Sequence, residues 1–234
     1  MKIKNSKILI TGGSSGIGFA TAKLLISKGA QVVISGRDKK TLKKAAEEIG
    51  AIPIVCDVTN ETDVIKLVKN SIKQLNGLDV LINNAGFGYF ELLQNIDTQK
   101  FKAVLETIVV GAMLCGRESA KYFMEKKYGN IINVASTSAL KGHQMGTAYS
   151  TSKWALRGMT ESWREELRQY NIRVMMIHPS EVQTNFVANS GRAKRDFNKT
   201  KLEAQDVAHL MVSMLELRDV GFITEATIWS TNPK

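Results

Sequence analysis

The stretch Lys7-Ile8-Leu9-Ile10-Thr11-Gly12-Gly13-Ser14-Ser15-Gly16-Ile17-Gly18 decides the fold. Lys7–Ile10 reads as a short buried strand, and Thr11 ends it. The glycines then recur as G-x-x-x-G-x-G, and a helical pattern runs from about Gly16 to Lys28. Strand, glycine loop and helix in that order make a cradle for a pyrophosphate. Glycine lets the backbone turn tightly and approach the ligand closely. The first helical turn adds unpaired N–H groups and the positive end of the helix dipole. The candidate contacts are Gly12, Ser14, Ser15, Gly16, Ile17 and Gly18.

The same alternation continues outward. Strands are expected at Gln31–Ser35, Ile52–Cys56, Val80–Asn83, Ile131–Ala135, Arg173–His178 and near Ala226–Trp229. Helices fill the intervals. Asp38 caps one that Gly50 ends, and Thr59 or Asn60 starts the next. Another span runs from Thr98 to Lys127 with a break early in it, followed by a long helix at Thr147–Tyr170 and one near Ala204–Leu217. Uniformly apolar strands separated by helices imply a parallel sheet covered on both faces. Right-handed crossovers wind it into an α/β doubly wound, Rossmann-type sheet of about seven strands. The 234 residues hold three prolines, no linker-like tract and no repeat, so one domain is expected over residues 1–234.

Two further motifs carry chemistry. Asn83-Asn84-Ala85-Gly86 follows the fourth strand, and Tyr149-x-x-x-Lys153 lies in the long helix. Residues four apart share a helix face. A free phenol, with a pKa near ~10, is a poor proton shuttle at neutral pH, and a neighbouring ammonium favours its phenolate. Ser136 stands at the end of the fifth strand, where a hydroxyl can polarise a carbonyl oxygen.

Over nearly the whole chain, these motifs together resemble the short-chain dehydrogenase/reductases, and most of all the 3-oxoacyl-acyl-carrier-protein reductase type and related carbonyl reductases. The resemblance implies hydride transfer between a nicotinamide cofactor and a carbonyl or secondary alcohol. Tyr149 is then the acid/base, Ser136 holds the substrate oxygen, and Lys153 also bonds the nicotinamide ribose. It implies cofactor contacts from Asn84, Ala85 and Gly86, and from Asp57-Val58 beside the adenine. Pro179, Val182 and Thr184 would lie in the loop near the nicotinamide, where Ser180 replaces the usual glycine. The acidic position that holds a ribose 2′-OH in NAD sites falls on Gly36, followed by Arg37. A guanidinium suits a 2′-phosphate, so NADP(H) is favoured, with NAD(H) open through Asp38.

One departure stands out. Ile108 occupies the place of an asparagine that, in the family, supports a proton relay to the lysine. Isoleucine neither donates nor accepts, so catalysis is expected to be slower but not lost. His143 is a candidate for the substrate pocket, and His178, beside a strand end, reads as structural.

The composition narrows the alternatives. Net charge is +10, but the lysines are dispersed and aromatic residues do not interleave with them. That pattern reads as a solvated surface rather than a nucleic-acid face. The apolar N-terminal run is too short for a signal segment, and no stretch has membrane-spanning length. Cys56 and Cys115 read as reduced thiols in or near the core of a cytoplasmic protein. A substrate lid is expected near residues 185–203, where Arg192, Lys194, Arg195, Lys199 and Lys201 could attract an acyl carrier or a coenzyme A phosphate. Helices around Val104–Phe123 and Ala148–Leu167 suggest, by resemblance, a homodimer or homotetramer. A nicotinamide-binding sensor or regulator with little turnover is the alternative to an enzyme.

Overall fold

The structure, a computed structural model, describes residues 1–191 and 196–232. Seven parallel strands form the central sheet. In chain order they are β1 (Lys7–Thr11), β2 (Gln31–Gly36), β3 (Ile52–Val55), β4 (Val80–Asn83), β5 (Gly129–Val134) and β6 (Ile172–Pro179), with β9 (Glu225–Ile228) last. Their spatial order is β3-β2-β1-β4-β5-β6-β9. The order reverses direction between β1 and β4, and that is the switch point at which ligands bind in such sheets.

The sequence pattern explains this arrangement. β4, β5 and β6 are buried along their whole length, as strands covered on both faces must be. β3, at the edge, alternates between partly buried and exposed residues and tolerates Pro53. Helices α1 (Gly16–Ser27), α2 (Lys39–Ile49) and α3 (Glu61–Leu75) make the first crossovers. Asp38 accepts from Thr41 N and caps α2, Gly50 ends that helix at φ 74°, and Asn60 caps α3. One core cluster packs α1, α2 and α8 (Ala204–Glu216) on one face of the sheet. A second packs α3 and α5 (Gly111–Lys126) on the other.

The break expected early in the Thr98–Lys127 span is a change of helical register. Helix α4 (Thr98–Leu105) passes into a π-helical turn at Glu106–Val110 and then into α5. The long helix α6 (Thr147–Leu167) closes with a 3-10 turn at Arg168–Tyr170.

Beyond β6 the chain forms a small parallel ribbon, β7 (Val182–Gln183) with β8 (Leu202–Glu203). The short helix α7 (Phe186–Asn189) lies between them, in the expected lid segment. The Gln183 side chain binds Asn198 through both its amide and carbonyl groups, which ties the base of this segment. Lys201 pairs with Glu181 at 2.8 Å. Arg192, Lys194 and Arg195 lie outside the described residues. Among the described residues no helix is long and apolar enough to cross a membrane, and no His, Cys, Asp or Glu cluster could hold a metal ion.

Candidate active site

The glycine loop and the Asn83-Asn84-Ala85-Gly86 loop leave adjacent strands and are locked together. Thr11 Oγ1 accepts from Asn84 N and Ala85 N, both at 3.1 Å. Asn84 Nδ2 donates to Thr11 O and Gly12 O, both at 3.0 Å. Two glycines make this closeness feasible. Gly12 has φ +64°, and a Cβ there would sit 2.8 Å from Ala85 Cα. A Cβ on Gly18 would meet Gly12 O and Asn84 Nδ2 at 2.5 Å. Gly18 therefore seats the helix against the loop, while Gly12, Ser14, Ser15, Gly16 and Ile17 line the cavity above it. No acidic side chain occupies the first turn of α1, so its N–H groups face the cavity without a competing anion.

That cavity is large, about 1210 Å³, and runs across the carboxyl ends of the central strands. Its wall includes Arg37, Val58, Asn84, Ala85 and Gly86, then Ser136, Tyr149 and Lys153, then Pro179, Val182 and Thr184. Asp38 is not on that wall. It is spent on the α2 cap, and the hydrogen bonds from Thr41 hold its carboxyl below the ordinary carboxylate range. Asp57 is likewise off the wall, and its Oδ1 accepts from both Thr59 N and Thr59 Oγ1. The residues present fit a dinucleotide: a glycine cradle, an open helix N-terminus and a guanidinium beyond β2.

The reactive side chains sit at the other end. Ser136 follows β5, caps a short 3-10 turn and accepts from Ser138 N at 3.2 Å, so its own hydrogen is left for an incoming oxygen. Lys153 Nζ lies 5.5 Å from the Tyr149 ring centroid. It is buried, and that burial lowers its pKa from 10.5 to about 7. Its donation to Val134 O at 2.9 Å ties α6 to β5.

Phe90 and Phe186 flank the Tyr149 ring, with centroids 5.3 Å and 5.5 Å away. Both line the cavity along with Phe87, Val187 and His143, so the space beyond Tyr149 is mostly apolar and aromatic. His143 is thus on the wall, as expected. Its Nε2 faces Ser138 Oγ at 3.1 Å and its Nδ1 faces Gln144 O at 3.0 Å, so a neutral ring donates from Nδ1 and accepts from Ser138. His178 is wholly buried and braces the site from below, between Ser136 O and Glu225. The sequence reading did not pick out Phe90 and Phe186. Phe90 lies in an aromatic-rich run with Phe87 and Tyr89, whereas Phe186 stands alone after Thr184 and carried no such signal.

Comparison with known proteins agrees with this geometry. A curated relative, an uncharacterized oxidoreductase of Staphylococcus aureus strain USA300, is 30% identical over 232 residues, covering 97% of this chain and 99% of the relative. Among solved structures, a metagenomic short-chain oxidoreductase in complex with NADP superposes with a TM-score of 0.85 at 28% identity, covering 99% of this chain and 100% of the other. The 3-ketoacyl-(acyl-carrier-protein) reductase of Brucella melitensis, complexed with NADH, gives a TM-score of 0.89 at 25% identity, with 98% of each chain covered. The sequence matches the short chain dehydrogenase family over residues 6–195, and the chain therefore belongs to that family of oxidoreductases.

Proposed function

We propose that the protein is an NADP(H)-dependent reductase of a carbonyl compound with an apolar or aromatic body. The observation that carries this reading is the meeting of Ser136, Tyr149 and Lys153 on one wall of the cavity that begins at the glycine loop. When bound, the nicotinamide cofactor supplies the hydride. The chain's own residues do the rest. The Ser136 hydroxyl donates to the carbonyl oxygen and polarises it. Tyr149 gives that oxygen its proton in reduction and takes it back in oxidation. The buried Lys153 ammonium favours the phenolate and replenishes the proton. Arg37, at the far end, would hold a 2′-phosphate, and the commitment of Asp38 to the α2 cap weakens the case for NAD(H).

Phe87, Phe90 and Phe186 suit an acyl or aryl chain, and a 3-oxoacyl thioester is one such substrate. The Trp154 ring, half exposed on α6, supports a homo-oligomer that uses this face. A low-turnover sensor is the second reading, and Ile108 is the observation that favours it. NADPH oxidation over a panel of 3-oxoacyl thioesters, aryl ketones, small ketones, aldehydes and sugars decides between the two. Turnover that Tyr149→Phe removes supports the reductase. Tight cofactor binding with no turnover on any substrate supports the sensor.

A further inference from the structure

His178 stands one residue before the end of β6, wholly buried and off the cavity wall. A buried imidazole needs a partner at each nitrogen. Nδ1 faces Ser136 O at 3.2 Å and Nε2 faces Glu225 Oε2 at 3.1 Å. A main-chain carbonyl only accepts, so the hydrogen on Nδ1 points to Ser136 O. Glu225 reaches the ring because β6 and β9 pair in parallel, with Met176 opposite Glu225 and His178 opposite Thr227. Residues two apart on a strand share a face of the sheet, as do residues directly opposite on its neighbour. His178 and Glu225 are therefore diagonal neighbours, on the face where Met176 packs with Tyr149 and Leu156 of α6.

Arg157 completes the set from α6. Its Nε donates to Glu225 Oε1 and its Nη2 pairs with Oε2, both at 3.4 Å. Tyr149, Lys153 and Arg157 follow one another at four-residue steps along one side of that helix. The helix thus holds the chain at the end of β5 twice. Lys153 donates to Val134 O, and Arg157 reaches Ser136 through Glu225 and His178.

We propose that His178 is a positioning residue for Ser136, held in place by Glu225 and Arg157, and that the set fixes where the Ser136 hydroxyl stands relative to the Tyr149 phenol. The proposal rests on the reductase reading. His178 touches neither substrate nor cofactor and acts through the Ser136 carbonyl. Both hydroxyls must reach one substrate oxygen at once, and a displacement of about 1 Å can cost ~10²-fold in rate. With the ring gone, the Ser136 main chain is released on one side, while the aromatic pocket and the glycine cradle keep their own contacts.

The test is a pair of substitutions at His178, read as kcat, KM and NADPH affinity. In Asn the amide nitrogen is bonded to Cγ, as Nδ1 is, so His178→Asn keeps the donation to Ser136 O. In Gln it lies one bond further out, at the reach of Nε2, so His178→Gln keeps the Glu225 contact and gives up the one to Ser136. In the Gln variant kcat should fall roughly tenfold with KM and NADPH affinity unchanged, a fraction of the ~10²–10³ that a donor to the substrate oxygen supplies. The Asn variant should retain most of the wild-type rate. In a Ser136→Ala background His178→Gln should cost almost nothing further, because the two residues act as one unit. Equal losses in the Asn and Gln variants, or a Gln loss undiminished by Ser136→Ala, overturn the proposal. If His178→Gln does not fold, Glu225 takes its place. Glu225→Leu releases the ring and should lower kcat in the same way, and Glu225→Gln, whose amide still meets Nε2, should restore it. Equal rates in those two variants also overturn the proposal. Loss of the reductase reading shows separately, as turnover that survives Tyr149→Phe.

Discussion

Lys153 Nζ donates to the Val134 carbonyl at 2.9 Å, and its burial lowers its pKa to about 7. The ammonium is held beside the Tyr149 ring at a cost in folding free energy. The unfolded chain binds this proton up to its ordinary pKa of 10.5, whereas the folded chain releases it near 7. Stability should therefore rise with pH between those values, by up to ~1.4 kcal/mol per unit. Lys153→Met should lose that slope and be the more stable protein at pH 6–7. Urea melts of both cofactor-free proteins at pH 7 and pH 9 measure the difference.

Arg37 lines the cavity, while Asp38 is spent on its helix cap. Arg37→Ala should weaken NADPH binding by roughly ten- to a hundredfold, the loss of a charge-assisted contact, and leave NADH nearly unchanged. Gly36→Asp should improve NADH binding, since a Cβ at Gly36 has ordinary room 3.4 Å from Ser14 Oγ. Fluorescence titration with each nucleotide reads both effects.

The Phe90 and Phe186 rings cover Tyr149 from two sides. Phe90→Ala and Phe186→Ala should each raise KM for aryl or long-chain ketones by roughly tenfold, the worth of a buried aromatic contact, with a smaller effect on acetone-sized substrates. Equal effects on large and small ketones would remove the aromatic-pocket argument.

Burial pushes the Cys56 thiol up to about 12 and also raises Cys115. Neither should form thiolate at pH 8. Iodoacetamide should leave both unmodified in the native protein, as read by intact mass, and should not change activity, although Cys56 borders the cofactor cavity.

Much of this could be read from the chain. Local signals carried the fold: short apolar strands, caps at Asp38 and Asn60, and Gly50 at a left-handed position. Tyr149, Lys153 and the glycine loop were legible because their spacing is set within one helix or one turn. The place of Asp57 was not, since which partner a carboxylate finds depends on the turn around it, and its Oδ1 is taken by Thr59. The early break in the Thr98–Lys127 span was visible, but its nature as a π turn at Glu106–Val110 was not. Phe90, Phe186 and the pairing of His178 with Glu225 depend on contacts between segments far apart in sequence, and no periodicity encodes them.

The most direct test of the central claim is NADPH oxidation by the wild type and Tyr149→Phe on the same apolar ketone panel. The account predicts turnover in the wild type, faster with NADPH than with NADH, and a loss of at least ~10²-fold in the variant with cofactor affinity retained. Equal rates in the two proteins, or no turnover by the wild type on any carbonyl, would contradict it.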